Sequence, residues 1–121
     1  MLATEVLFPD GAVPIDSYGA EGFRLRGQVV HGAIALFQTG VSNWAGLHDL
    51  SVFADRAGEF DVLLVGVGGE LVAPDASFVA ERARLEAAGI GVEIMTTPSA
   101  CRTYNVLLAE GRRVAAALMP V

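Results

Sequence analysis

GVEIMTTPSACRTYNVLLAEGRRVAAALMP, residues 91–120, decides the fold. Gly91–Met95 is a short run rich in β-formers, as a strand requires. Thr97-Pro98 supplies a helix start, with Thr favoured at the N-cap and Pro at the first helical position. The helix is predicted to run to about Glu110, where Gly111 ends it. Val114–Met119 is an unbroken apolar run stopped by Pro120. Strand, helix and strand in this order imply parallel strands joined by a right-handed crossover.

The pattern continues upstream. Asp61–Gly66, DVLLVG, suits a strand buried on both faces, as in a sheet covered by helices. A glycine turn, Val67-Gly68-Gly69, follows. Asp75 is placed to cap a helix over 76–88, and Gly89 falls where a left-handed C-terminal residue belongs. The second half therefore reads β-α-β-α-β. Asp49–Ala57 carries Leu50, Phe53 and Ala54 at helical spacing, with Asp49 as cap and Gly58 as terminator. Thr39–His48 reads as a loop holding the single Trp44.

Phe23–Val30 alternates at first, with Phe23 and Leu25 on one face and Arg24 and Arg26 on the other. His31-Gly32 reads as a turn into a second strand, Ala33–Gln38, giving an N-terminal β-hairpin. Residues 1–22 are turn-rich, with Pro9, Gly11, Pro14 and Gly19, and read as an irregular segment anchored by Val13, Ile15 and Tyr18. The expected fold is a single α/β domain over 1–121. Its N-terminal β-hairpin and β-α-β-α-β unit form a mixed sheet with helices packed on it.

Composition narrows the function. The chain has 121 residues, 53% of them hydrophobic, enough for one core without disulfides or metal. The net charge is −6, and all eight basic residues are Arg. An acidic chain without a basic cluster is a poor binder of nucleic acid or anionic membrane. The absence of Lys beside abundant Ala, Arg, Gly and Val suggests a GC-rich bacterial genome. One cysteine, Cys101, excludes an intrachain disulfide and a cysteine metal cluster. No secretory or transit signal and no apolar stretch of membrane-spanning length is read, so a cytoplasmic location is expected.

The candidate site residues fall in two groups. Gly66, Gly68 and Gly69 end a buried strand, where α/β proteins admit ligands and where backbone amides hold anions. The stretch lacks the third glycine and the direct run into a helix of a dinucleotide fingerprint, and no Lys exists for a P-loop. A structural turn and a ligand-approach loop are both open readings. Thr97, Ser99 and Arg102, with Thr103, stand at a helix start, where free N–H groups attract carboxylate or phosphate. Against this stands simple capping by Thr97, with Arg102 paired to an acid.

Cys101 at the same start would be reactive only if its thiol were exposed and acidified. A buried inert thiol is the other reading, and His31 and His48 are both distant in sequence. Tyr104 and Asn105 bring polar tips into an apolar helix and are read as bracing the Gly66–Gly69 turn or walling a pocket. Arg82 and Glu86 are spaced to pair on one helix face. Asp55, Glu59 and Asp61 read as solvated charges. Trp44 is either an exposed anchor or a cover for one end of the core. Nothing calls for a cofactor or a metal.

From about Val62 onward the chain resembles a small α/β family catalogued as a domain of unknown function. Its mitochondrial members are assembly factors for respiratory complex I, the NADH:ubiquinone oxidoreductase. The resemblance rests on the glycine pair Gly66 and Gly68 after a buried strand. It rests also on Thr97 and Ala100 at the helix start, Tyr104-Asn105, the exit at Glu110, Arg112 and Arg113, and the strand Val114–Pro120. Ile15, Tyr18, Phe23, Gly32 and Trp44 extend it more loosely. It implies a compact mixed-sheet fold and a non-enzymatic role with a protein partner, a respiratory complex subunit or another assembly factor. The alternative is a small-molecule (anion) binder or enzyme using Gly66–Gly69 and Thr97–Arg102. A homodimer through the sheet face or the Trp44 loop is a third reading.

Overall fold

The computed structural model describes residues 5–121, and the first four residues of the N-terminal segment lie outside them. In chain order the strands are β1 (Glu5–Leu7), β2 (Ser17–Gly19), β3 (Gly22–Leu25), β4 (Gln28–His31), β5 (Ile34–Phe37), β6 (Gly40–Asn43), β7 (Val62–Gly66), β8 (Gly91–Met95) and β9 (Val114–Leu118). The helices are α1 (Ser51–Asp55), α2 (Ala76–Ala87) and α3 (Thr97–Ala109), with a 3₁₀ turn over Ala57–Glu59. A six-stranded mixed sheet has the order β1-β6-β5-β9-β7-β8, and β2-β3-β4 form a separate small sheet. β7 runs parallel to both β8 and β9, while β5 meets β9 and β6 antiparallel.

The six-stranded sheet divides two cores. On one face α3 and the small sheet pack over Leu36, Leu64, Ala116 and Leu118 through Phe23, Leu25, Cys101 and Tyr104. On the other, Phe37, Leu63, Val65 and Ala117 meet Trp44, Phe53, Phe78 and Leu85. β5 and β9 are buried along their whole length, which explains why they read as continuous apolar runs rather than alternating ones. Each fully buried Leu or Phe contributes about 1.5–3 kcal/mol of apolar transfer. Trp44 is 7% exposed and stands edge-on to Phe53, with its indole N–H donating to Asp49 O at 2.6 Å. It covers one end of the core and is not an exposed anchor.

The β-α-β-α-β half stands as expected. Asp75 caps α2 by accepting from Phe78 N at 2.9 Å, and Gly89 takes φ +91° beyond its end. The first half differs. Phe23–Val30 is not one strand but a hairpin in itself, turning at Arg26-Gly27 with φ +54° and +76°. Two consecutive left-handed residues make the turn whose twist suits a two-residue hairpin. The hairpin of the main sheet joins β5, within the expected second strand, to β6, which lies inside the stretch expected to be a loop. The N-terminal segment contributes the short strands β1 and β2. The Asp49 helix shortens to Ser51–Asp55, with the Asp49 carboxylate accepting from Ser51 N and Oγ at 2.8 and 2.6 Å. Those bonds hold the Asp49 carboxyl below its ordinary pKa.

Candidate functional site

β7, β8 and β9 end together, and α3 begins against them. Gly66 O accepts from Met119 N at 2.9 Å, and Val67 N donates to Met95 O at 3.0 Å. A Cβ on Gly66 would lie 2.9 Å from Thr97 Cα, Thr97 Oγ1 and Leu118 Cδ2, so only glycine lets the helix rest there. Gly68 takes φ +108°, turning the chain so that its amide and carbonyl both face Thr97.

Thr97 joins these pieces. Its N–H donates to Gly68 O at 2.8 Å. Its Oγ1 accepts from Gly68 N at 2.9 Å and donates to Met119 O at 2.7 Å. The residue is fully buried. Sequence reasoning cast Thr97 as the N-cap, but the cap position falls to Thr96, without a side-chain cap bond. The hydroxyl reaches the ends of two strands instead.

This leaves few donors at the helix start. Thr97 N is engaged, Pro98 has no N–H, and Ala100 N donates to Thr96 O at 2.9 Å. Ser99 Oγ accepts from Thr96 Oγ1 at 3.2 Å and from Arg102 Nη2 at 3.3 Å. Arg102 is thus turned to Ser99 rather than to an acid. Gly69 is exposed beside the turn. The structure brings Gly66, Gly68 and Thr97 into one hydrogen-bonded knot, with Ser99 and Arg102 on its outer side.

Tyr104 and Asn105 lie elsewhere. Asn105 does not brace the glycine turn. Its amide clasps Ile15, accepting from Ile15 N at 2.8 Å and donating to Ile15 O at 2.9 Å. This two-way bond imitates a strand pairing and fixes the N-terminal segment on α3 across 90 residues of sequence. Tyr104 is fully buried in the α3-side core, and its hydroxyl has no hydrogen-bond partner among the described residues. Burial pushes its pKa up. A buried hydroxyl without a partner costs about 1–3 kcal/mol. Tyr104→Phe is therefore expected to leave the fold intact and raise stability by about 1 kcal/mol, read from urea denaturation midpoints.

Cys101 is buried in the same core, and burial pushes its thiol up to about 12, against a small opposing pull from Arg102. It stays protonated at neutral pH, the inert reading of the two. Of the charges read as solvated, Glu59 pairs with Arg56 at 2.7 Å, and Arg56 lies over the Phe37 ring at 3.6 Å. Asp61 lies 3.5 Å from Arg113. Among the described residues no group of three or more His, Cys, Asp or Glu is placed to hold a metal ion, and no helix is long and apolar enough to cross a membrane.

Two hollows lie away from the knot. A hollow of about 360 Å³ on the small sheet is lined by Tyr18, Glu21, Arg24, Val29 and His31. A second, of about 420 Å³, opens between β4 and Val6 and Asn43. Sequence reasoning missed both, because each depends on the Arg26-Gly27 turn, which folds one apparent strand into two.

The mixed α/β architecture is shared with solved structures. The chain belongs to the DUF498/DUF598 family of proteins of unknown function, whose pattern it matches over residues 15–119. It is 43% identical over 111 residues to an uncharacterized protein of Rhodobacter capsulatus, covering 92% of this chain and 87% of the other. It is 38% identical over 121 residues to NADH dehydrogenase [ubiquinone] 1 alpha subcomplex assembly factor 3 of Rattus norvegicus, covering 93% of this chain. The chain spans 63% of that relative's length. Among solved structures it is similar to one described as an outer membrane protein from Bartonella henselae, with a TM-score of 0.80 and 36% identity. That match covers 92% of this chain and 97% of the other.

Proposed function

We propose that the chain is a non-enzymatic binding module acting in the assembly of a respiratory complex of the NADH dehydrogenase type. The observation that carries this reading is its homology to the complex I assembly factors over nearly its whole length. Burial pushes the Cys101 thiol up to about 12, so this residue is no nucleophile at neutral pH. Its partner is a protein, a subunit of the complex or another assembly factor, and it meets that partner in the cytoplasm.

The anion-binding alternative at Gly66, Gly68, Gly69, Thr97, Ser99 and Arg102 draws less support. Of the amides around this turn, Gly68 N donates to Thr97 Oγ1, Thr97 N to Gly68 O and Val67 N to Met95 O, so these three are engaged within the protein. The test is deletion of the gene in its host. The expected result is a several-fold fall in assembled NADH dehydrogenase complex and in membrane NADH oxidation, restored by the chain in trans. Unchanged complex levels and NADH oxidation would overturn the reading.

A further inference from the structure

The free edges of the two sheets share one feature. β8 is an outer strand of the six-stranded sheet. Gly91 N donates to Asp61 O, and Met95 O accepts from Val67 N, so Gly91, Glu93 and Met95 turn their backbone groups towards β7. Val92 and Ile94 then turn theirs outward. Val92 O is occupied: Arg82 Nη2, reaching from α2, donates to it at 2.9 Å.

The opposite edge repeats this. Phe8 N donates to Thr39 O, which places Leu7 O on the outer side of β1. Arg26 Nη1 donates to Leu7 O at 3.2 Å, and its guanidinium stands over the Phe8 ring. On the small sheet Asn43 Nδ2 donates to His31 O on the outer side of β4 at 3.0 Å. Unpaired edges are templates for another strand, and charged side chains laid on them are a known defence.

We infer that Arg82 is the guard that keeps β8 from pairing with a second copy of this chain. β8 is the edge most in need of one. It is longer than β1, β2 or β4 and presents Val92 and Ile94 at its rim. Glu93 is its one charge and is exposed. Two copies pairing antiparallel about a two-fold at Glu93 would set each Val92 opposite the other's Ile94, with complementary N–H and C=O groups. That arrangement opposes two carboxylates and requires Arg82 to leave Val92 O. The guard and the charge act together. A partner of the intact protein therefore docks on a surface other than the β8 edge.

The test compares wild type, Arg82→Ala, Glu93→Val and the double variant by light scattering across concentration, with amide exchange at Val92 and Ile94. The double variant is expected to self-associate at least tenfold more tightly than wild type. Its Val92 and Ile94 amides are expected to exchange at least tenfold more slowly at high concentration. Arg82→Ala alone is expected to shift the same way by less, and Glu93→Val alone to match wild type. Association by Glu93→Val equal to that of the double variant overturns the role of Arg82. So does a folded double variant with wild-type association and concentration-independent exchange. If Arg82→Ala fails to fold, Arg82→Met keeps the aliphatic stem and removes the donors, and its behaviour decides.

Discussion

Thr97→Val is expected to cost about 3 kcal/mol, because it strands two part-buried backbone groups at once. Valine keeps the shape of threonine and loses only the hydroxyl. Gly68 N–H then loses its acceptor and Met119 C=O its donor, in part-buried bonds around a fully buried side chain. Each unpaired buried group costs about 1–3 kcal/mol, which sets the range. For a domain of this size the loss corresponds to a fall in Tm of about 12 °C. Thr97→Ser keeps the hydroxyl and removes one buried methyl, for about 1 kcal/mol. A denaturation series with valine well below serine identifies the hydroxyl as the stabilising group. Equal losses in the two variants would mean that packing around the methyl matters instead.

This residue also marks where sequence reasoning stops. Thr-Pro before a helix has the composition of a cap, and nothing local distinguishes a hydroxyl turned to its own helix from one turned to two strands. The distinction lies in Gly68 and Met119, 29 and 22 residues away. Asn105 is a sharper case. Its polar amide in an apolar helix announced a hydrogen bond, but the partner, Ile15, belongs to a segment with no pattern to predict its path. The anomaly was legible and its partner was not.

The strands divide the same way. β7 and β9 were legible because strands buried under helices are apolar throughout, and β8 because a helix-ending glycine and a helix start bound it. The first half defeated the alternation rule because two-residue turns interrupt it with little signal. Arg26 adopts a positive φ without being Gly, Asn or Asp. Gln38-Thr39 turns the main hairpin with no glycine at either position. The nearby glycine, Gly40, serves another purpose: a Cβ there would stand 2.6 Å from Val6 O, so it admits β1 beside β6.

Gly66→Ala tests the knot from its other side, and its sign is diagnostic. Gly66 does not have a positive φ. With room for a methyl group, alanine there would stabilise by about 0.4–1 kcal/mol through the unfolded chain alone. The space is absent. The added Cβ meets Leu118 Cδ2, which can swing away, and Thr97 Cα, which cannot. Thr97 is pinned by its bonds to Gly68 and Met119, so relief requires α3 to lift from the ends of β7 and β9. The expected result is a loss of about 2–3 kcal/mol, at the upper end of overpacking costs. Part of that loss comes from weakening the same hydrogen bonds that Thr97→Val removes. The two changes together should therefore cost about 1 kcal/mol less than their sum, since residues sharing partners do not add. Strict additivity in the double-variant cycle, or a stabilised Gly66→Ala, would show that α3 does not depend on this contact.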